Sequence, residues 1–557
     1  MVFSNSRLKD TLLAAVAIFC LFIFFNIIKY HFNVISYPYQ IEQEEIGMVV
    51  STDLLMKGIN PYRFENQPMY INQYGIGYNL FVIPIYKIIS AVNSQHKGNH
   101  MLSHRVASAV AIFFSLALVA FIMYSLKINI FLICMAILLQ YTALCYYSPV
   151  IAKPDSLGLF LYLLSLFIPW RFRYSFYSVA TGIIIAIVAF YTKVYFVSGI
   201  LIIISYIFFF ISKSKGVKYF FVFSIVFILA AIVMNYLFEA YFYDVVFLQY
   251  NYNRFIISPL LKKTLLFASW NIGLMIYLSL SAIIALYNYV NDVYSKTIDK
   301  PRISSLLKKL SINISDMDKP FFKEEAISVF SWGAVLMVCL LEARLGIQMT
   351  YYFGLFMPLL LISALKPKQG FFKLTYVLAA LLTINIYTVY SYAFYLKIVP
   401  PDYFFRMDPS GRFNSKIGVN PAELEKLVAL SNNALVSRLF SIMALNNGKT
   451  VYDTSHNNYM HDLTPVNAFV KYFFPKDFTE LNETFIKDVN DKIRNKHFDL
   501  LILTMNTKKG DGKFFPDPWF LVDNTLFDNY RIYNNTYYYF VPALLDTVPF
   551  IILIPKE

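Results

Sequence analysis

Three acidic side chains could carry chemistry in this chain. Glu44 and Glu45 follow its first long apolar stretch, and Asp155 stands beside Lys153 in the segment KPDSLG after a later one. A carboxylate at a membrane surface can be hydrated, can change its protonation state and can act as a general base toward a hydroxyl group. The alternative for the adjacent glutamates is structural, because acidic residues favour a helix N-terminus through the helix dipole.

Basic side chains are predicted at the same membrane face as these acids. They are Arg105, Lys153, Lys193, Arg254 and Arg344. Cations beside carboxylates suit a reaction in which a phosphate leaves while a carboxylate deprotonates the incoming group. The alternative for each cation is a side chain whose stem lies along apolar surface while its charge reaches the interface.

The composition indicates the class of protein to which these residues belong. The chain has 557 residues, of which 58% are hydrophobic and 15% charged, and its mean hydropathy is +0.53, too apolar for one soluble core. The formal net charge of +14 does not predict a nucleic-acid partner, because basic residues of membrane proteins collect in cytoplasmic loops. All four cysteines fall in apolar stretches, so neither a disulfide framework nor a metal site is expected.

Apolar stretches recur along the chain and predict an α-helical polytopic membrane protein with about eleven transmembrane helices. They lie at 11–29, 106–126, 129–147, 156–169, 176–191, 194–211, 219–238, 269–289, 326–341, 351–365 and 371–394. The first is predicted to be an uncleaved signal anchor, because no small-residue cleavage pattern follows it.

The distribution of charge predicts the orientation. With Arg7 and Lys9 in the cytoplasm, every short loop on that side is basic, and so is the linker 290–325. This requires the stretch 74–92, with its proline and lysine, to form a juxtamembrane helix at the interface. Residues 30–104 then form a long outer loop with juxtamembrane helices, and the C-terminal part is extracytoplasmic.

Two domains are predicted: a transmembrane domain over 1–396 and a small α/β domain over 397–557. In the second, the pattern predicts strands at 448–454, 498–504 and 550–556 and helices at 421–446 and 482–496. It contains no nucleophile or phosphate-loop signature, which favours a lid or docking role.

Five short motifs, in order, carry a resemblance to a known family. After the acidic pair come GINPY (58–62), QYGIGYNLFVIPIYKI (73–88), HR (104–105), KPD (153–155) and YTK (191–193). Their order over about residues 11–365 resembles the GT-C glycosyltransferase superfamily, most closely its protein O-mannosyltransferase and aminoarabinose-transferase-like branch. The chain departs from that pattern in having Glu44-Glu45 in place of Asp-Glu, and Gly75-Ile76-Gly77 in place of the Pro-Pro-Leu element.

The resemblance implies an inverting hexosyl- or pentosyltransferase that moves a sugar from a polyprenyl-phosphate donor to an acceptor hydroxyl at the extracytoplasmic face. The acceptor would be a glycan, a lipid or a protein, and a divalent cation stays open as a cofactor. The base would be Glu44 or Glu45, with Asp155 orienting Lys153 or the acceptor. The substrate-binding residues implied are Arg105, Lys153, Tyr74, Lys193 and Arg344.

Two other functions remain open at this stage. A multi-pass transporter or flippase of a lipid-linked or cell-envelope glycan also has many crossings, although transporters usually carry charges near the midplane and show inverted repeats. A scaffold whose outer domain binds wall polymer is the third interpretation. The high usage of Ile, Asn, Lys and Tyr is typical of AT-rich bacterial genomes and predicts a bacterial cell membrane. The donor's prenyl tail is expected near the sixth to ninth crossings.

Overall fold

The computed structural model shows a mostly helical chain with one β-sheet near its C-terminus. It describes residues 6–40, 45–63, 66, 74–93, 99–147, 150–247, 262–280, 320–322, 327–342, 351–365, 375–392, 421–437, 440–449, 478–507, 514–517, 525–541 and 546–557.

Thirteen helices lie in the described part of the chain before residue 400. They are α1 (Ser6–Ser36), α2 (Glu45–Met56), α3 (Ile76–Val92), α4 (Asn99–Ser125), α5 (Ile130–Tyr147), α6 (Asp155–Arg171), α7 (Phe176–Phe190), α8 (Ser198–Phe210), α9 (Lys213–Leu237), α10 (Lys262–Trp270), α11 (Val329–Glu342), α12 (Met357–Leu365) and α13 (Thr375–Tyr392). Part or all of every predicted crossing is helical. Short helical turns at Val194–Val197 and Tyr352–Phe356 precede α8 and α12.

Three of these helices are apolar and long enough to cross a membrane by themselves: Leu13–Ser36, Asn99–Ser125 and Lys213–Leu237. Several others are apolar but shorter. This confirms the prediction of apolar helices compatible with a membrane protein, while the number of crossings and their orientation remain predictions.

Small residues let the central helices approach closely, as they do in membrane helix bundles. A Cβ atom at Gly158 of α6 would lie 2.1 Å from the Phe196 ring, and one at Gly199 of α8 would lie 2.2 Å from Ser165 Oγ. No side chain fits at either position, so these glycines set the spacing of α6 and α8.

The helix α2 departs from the sequence prediction. The acids after the first apolar stretch were expected to lie hydrated at the membrane surface, but Glu45 and every residue from it to Leu54 are buried. On one side α2 packs on α3, where Asn79 Nδ2 donates to Met48 O at 2.9 Å and to Thr52 Oγ1 at 2.8 Å. Its other side is covered by the C-terminal part of the chain.

That C-terminal part contains helices around a five-stranded sheet. Its elements are α14 (Pro421–Leu430), β1 (Ala434–Val436), α15 (Ser441–Asn446), α16 (Phe478–Arg494), β2 (Leu500–Thr507), β3 (Phe514–Asp517), α17 (Thr525–Asn529), β4 (Tyr530–Val541) and β5 (Asp546–Pro555). The strand order is β1-β2-β5-β4, with β3 also paired to β2. Only β1 and β2 are parallel.

The side chains of β2 alternate between two apolar layers, as the two-residue period of a strand requires. Leu500 and Ile502 face a cluster that includes α14, α15 and the α2 residues Ile46 and Val49. Leu501 faces the opposite cluster, which includes α16. The sheet therefore lies between two helical layers, one of which contains α2.

The structure tests four of the five element predictions in this part. The strands 498–504 and 550–556 and the helix 482–496 are confirmed by β2, β5 and α16. The single helix predicted over 421–446 is wrong: α14 ends at Leu430, and β1 follows. The Asp499 carboxylate accepts hydrogen bonds from Asn432 N at 2.6 Å and Asn433 N at 2.9 Å, which turns the chain into β1. Most of the strand predicted at 448–454 lies outside the described residues.

One end of the helix bundle gathers several basic loops. At one end Tyr219 Oη donates to Tyr174 O at 3.3 Å, Lys218 lies 5.4 Å from the Phe176 ring, and Lys213 lies 4.1 Å from the Phe321 ring. These contacts gather the basic loops that were predicted to be cytoplasmic. At the other end lie α2, the 150–155 loop and the sheet.

Candidate functional site

The Glu45 carboxylate and the Arg105 guanidinium form a fully buried ion pair. Arg105 Nε donates to Glu45 Oε1 at 3.1 Å, and Nη2 donates to Oε2 at 3.0 Å. Both side chains are completely shielded from solvent. Glu45 is the first residue of α2 and Arg105 lies in the second turn of α4, so the pair joins the outer loop to the helix bundle.

The remaining donors of Arg105 hold the end of α1. Nη1 donates to the carbonyl oxygens of Val34, at 2.8 Å, and of Tyr37, while Nη2 also donates to Tyr39 O at 2.7 Å. A guanidinium has five N–H donors, and all five are used here. Arg105 was predicted to hold a donor phosphate, and in this structure its five donors all bond to groups of the protein itself.

Glu45 also fixes the loop that carries the third acid. Its Oε1 atom accepts a hydrogen bond from Ala152 N at 3.0 Å. Ser108 Oγ donates to the neighbouring carbonyl of Ile151 at 2.7 Å. The 150–155 loop is thus held from two helices, and the Glu45 carboxylate that helps to hold it is fully buried.

The second ion pair joins Asp155 and Lys193. Lys193 Nζ donates to Asp155 Oδ1 at 2.8 Å, and the two side chains are 8% and 7% exposed. Asp155 is the first residue of α6, where the helix dipole stabilises its negative charge. Lys193 lies between α7 and the turn Val194–Val197. The pair therefore lies where two helix ends meet.

Three tyrosine rings surround the Lys193 ammonium. Its Nζ atom lies 5.1 Å from the ring centre of Tyr74, 5.4 Å from that of Tyr351 and 6.0 Å from that of Tyr195. Burial by itself lowers the pKa of Lys193, but the adjacent Asp155 carboxylate holds that pKa well above its ordinary value. Lys193 therefore keeps its positive charge although it is buried, stabilised by the carboxylate and by cation–π contacts.

Tyr74 is held in place by the glycines that follow it. Gly77 N donates to Tyr191 O at 2.8 Å, and a Cβ atom at Gly75 would lie 2.0 Å from that same oxygen. Tyr62 Oη donates to Tyr74 O at 2.6 Å. These glycines let the backbone lie directly against the Tyr191 carbonyl.

The structure thus brings five of the eight predicted site residues into two buried clusters at one end of the bundle: Glu45, Arg105, Asp155, Lys193 and Tyr74. Lys153 lies on the same loop and is partly exposed. The predicted residues Glu44 and Arg344, and the cation Arg254, lie outside the described residues.

Sequence reasoning missed Tyr195 and Tyr351. Tyr195 follows Lys193 by two residues, so the segment TKVY contained a local signal. Tyr351 precedes the turn Tyr352–Phe356 and is separated from Lys193 by more than 150 residues, so only the tertiary structure could show their proximity.

The described residues do not fit a resident metal ion. Among them, no group of three or more His, Cys, Asp or Glu side chains is arranged to bind one. The Asp155 carboxylate instead pairs with Lys193.

Comparison with known proteins adds no assignment to this geometry. No protein-family model matches the chain, and no curated protein matches it significantly.

Proposed function

We propose that this chain is a membrane glycosyltransferase that moves a sugar from a polyprenyl-phosphate donor to an acceptor hydroxyl at the extracytoplasmic face. The observation that carries the proposal is the Asp155–Lys193 pair inside its ring of tyrosines. It supplies a carboxylate, a fixed positive charge and aromatic surfaces at the ends of apolar helices, the groups that a sugar phosphate borne by a lipid requires.

The contacts of the two acids support different roles for them. The Asp155 carboxylate accepts a hydrogen bond from Lys193 through Oδ1, whereas both oxygens of the fully buried Glu45 carboxylate are engaged by Arg105. In the proposal Asp155 is the base, and Glu44 is its alternative. Glu45 and Arg105 are positioning residues that hold α1, α2 and the 150–155 loop together.

The proposed reaction is a single displacement. Asp155 takes the proton of the acceptor hydroxyl while that oxygen forms a bond to the anomeric carbon of the sugar. The bond between the anomeric carbon and the phosphate oxygen breaks with its electron pair, releasing polyprenyl phosphate and inverting the configuration. Lys193 and Lys153 stabilise the phosphate as its charge grows, an effect worth several kcal/mol in comparable sites.

A deletion strain tests this proposal without knowledge of the acceptor. Loss of the transferase should make a polyprenyl-phosphate sugar accumulate, as measured by mass spectrometry of extracted lipids. Expression of the wild-type gene in this strain should remove the accumulated polyprenyl-phosphate sugar. Asp155→Asn should slow the clearance roughly a hundredfold to ten-thousandfold, the usual contribution of a general base.

The control is Leu80→Ala, at an exposed position of α3, which should clear the lipid normally. Glu44→Gln is compared with Asp155→Asn to decide which acid is the base. A deletion strain with an unchanged lipid profile would contradict the proposal.

The same strain separates a transferase from a flippase. A transferase leaves its donor on the outer leaflet, where a membrane-impermeant oxidant such as periodate reaches the sugar in intact spheroplasts. A flippase leaves its cargo on the inner leaflet, where the sugar is protected. The proposal expects an accessible sugar.

A further inference from the structure

A basic surface lies at the end of the helix bundle that gathers the basic loops. It is formed by three turns, which join α4 to α5, α6 to α7 and α8 to α9. The segments that contain these turns, 121–132, 167–178 and 208–222, have six cations and no acidic residue. The cations are Lys127, Arg171, Arg173, Lys213, Lys215 and Lys218.

Packing between the helices makes these turns neighbours. The Phe121 ring of α4 lies 5.6 Å from the Phe167 ring of α6, one turn before the end of each helix. Tyr219 Oη of α9 donates to Tyr174 O in the turn between α6 and α7 at 3.3 Å. The six cations therefore belong to one surface.

The positive charge of the basic surface is not neutralised within the described part of the chain. There, none of the six cations forms an ion pair or a side-chain hydrogen bond. Lys213 Nζ lies 4.1 Å from the Phe321 ring centre, and Lys218 Nζ lies 5.4 Å from that of Phe176. A cation–π contact stabilises an ammonium but leaves its charge in place.

Helix stability does not explain the lysines of α9. That helix begins at Lys213, has Lys215 in its first turn and has no acid there. The dipole of a helix favours negative charge at the N-terminus, so two cations in the first turn are unfavourable by themselves. The cations after α4 and α6 follow helix C-termini, where positive charge is favourable. The lysines of α9 therefore indicate an anion supplied from outside the chain.

Exposed aromatic side chains border the basic surface. Tyr124 at the end of α4 is 69% exposed, Phe172 between the two arginines is 62% exposed, and Tyr177 in the first turn of α7 is 82% exposed. Tyrosine is enriched where a helix passes from the hydrocarbon of a bilayer to its headgroups. The helix α9, which starts at this surface, is apolar and long enough to cross a membrane. The combination fits the phosphate layer of a bilayer better than a dissolved polyanion.

We infer that the basic surface binds the headgroups of anionic phospholipids. Clusters of four to eight cations at the end of a membrane helix are typical of such binding, and each cation contributes roughly fivefold in affinity. The inference does not depend on the proposed function, because it concerns the other end of the bundle. Asp155 and Arg171 are the first and last residues of α6, which separates them by about 24 Å at 1.5 Å per residue.

The experiment is a lipid titration of the full-length protein in a neutral detergent. Native mass spectrometry measures the binding of phosphatidylglycerol and of phosphatidylcholine with the same acyl chains. Phosphatidylglycerol should bind at least tenfold more tightly. This preference should decline as the concentration of the volatile salt rises from about 0.05 to 0.5 M, because salt screens exposed charges.

A triple variant with Arg171→Gln, Arg173→Gln and Lys218→Gln tests the surface itself. All three side chains are exposed, so the fold should be retained. The variant should bind phosphatidylglycerol at least tenfold more weakly than the wild type and phosphatidylcholine equally well.

The matched control carries Lys426→Gln, Lys487→Gln and Arg531→Gln in the C-terminal part. These three side chains are also exposed and form no ion pair with the described residues, so the change of net charge is the same. The control should bind phosphatidylglycerol as the wild type does. Thermal unfolding without added lipid checks that both variants are folded.

Equal binding of the two lipids by the wild type, at low and high salt alike, would overturn the inference, and so would an equal loss of binding in both triple variants. Displacement of phosphatidylglycerol by millimolar inorganic phosphate would assign the surface to a dissolved anion and would also overturn it. Neither measurement requires sugar transfer, so its failure is separate from a failure of the proposed function.

Discussion

Individual residues in the two buried ion pairs have different tasks. All five N–H donors of Arg105 bond to groups of the protein itself, so its charge serves to hold the structure together. Lys193 is held by one carboxylate and three aromatic rings, which leaves an ammonium suited to a second anion. Two cations that look equivalent in the sequence therefore differ in their contacts, and the proposed function assigns only Lys193 to the substrate.

The Arg105–Glu45 pair should be essential for stability. Arg105→Met leaves a buried carboxylate without its partner and should reduce the free energy of unfolding by roughly 3–5 kcal/mol. Adding Glu45→Gln to Arg105→Met should restore part of that loss, because the uncompensated charge disappears. Thermal unfolding of detergent-purified protein measures both effects.

The matched control is Arg494→Met, because Arg494 forms a 3.0 Å pair with Asp491 at the surface, where the two side chains are 47% and 46% exposed. A surface pair contributes about 0–1 kcal/mol, so the midpoint of unfolding should barely move. Equal effects of Arg105→Met and Arg494→Met would contradict the positioning role.

The charge of Lys193 should be insensitive to pH in the physiological range. Its folded pKa lies above the ordinary value near 10.4, so its contribution is complete below that value and is lost only as pH rises through the folded pKa. The stability difference between wild type and Lys193→Met should therefore be constant from about pH 6 to pH 9. Thermal unfolding across this range measures it.

Lys193→Arg serves as the comparison, because arginine stays charged throughout. The prediction is wrong if the stability difference between wild type and Lys193→Met shrinks as the pH rises toward 9, while the stability difference between Lys193→Arg and Lys193→Met stays constant. That result would show that Lys193 loses its proton below pH 9.

At the scale of elements, the start of α3 is positioned by backbone contact. Gly75→Ala would place a Cβ atom 2.0 Å from the Tyr191 carbonyl, which cannot move as a flexible side chain could. We expect it to displace α3, to move Tyr74 away from Lys193 and to reduce lipid clearance in the deletion strain at least tenfold. Leu80→Ala on the same helix is the control and should retain normal clearance. Normal clearance by Gly75→Ala would mean that this contact does not position the site.

The helix α2 couples the two parts of the chain. Tyr39 Oη, just before it, donates to Glu425 Oε2 of α14 at 3.2 Å, and Gln40 Oε1 accepts from Ile442 N of α15 at 3.4 Å. The residues that lead into the acidic pair therefore also hold the C-terminal part. The lid or docking role predicted for the C-terminal part remains a prediction.

At the scale of the whole molecule, the charge distribution predicts sidedness. The exposed Lys57 and Lys496 lie at the end of the molecule that carries the candidate site and the sheet, and the exposed Arg173 lies at the basic end. In a cysteine-free background, Lys57→Cys and Lys496→Cys should react with a membrane-impermeant maleimide in intact cells. Arg173→Cys should react only after permeabilisation.

Labelling of Lys57→Cys and Arg173→Cys from the same side would end the proposed topology. Labelling of all three positions after permeabilisation is the control for reactivity. The orientation matters because an acceptor hydroxyl, the base and the donor phosphate must meet in one compartment.

The sequence by itself determined the apolar helices and the strands near 500 and 550, because hydrophobic periodicity is a local property. It also identified Asp155, Lys193, Glu45 and Arg105 as candidates, since charged residues beside apolar stretches are conspicuous. It could not separate the helix over 421–446 from the strand inside it, because β1 forms by pairing with β2, some 65 residues later.

Only the tertiary structure decided which charges pair. The assignment of Arg105 to Glu45 and of Lys193 to Asp155 depends on helix ends that meet across 60 and 38 residues of chain. The burial of α2 on both sides likewise arises from packing between distant elements. Burial is set by what covers a residue, and the covering residues are not its neighbours in sequence.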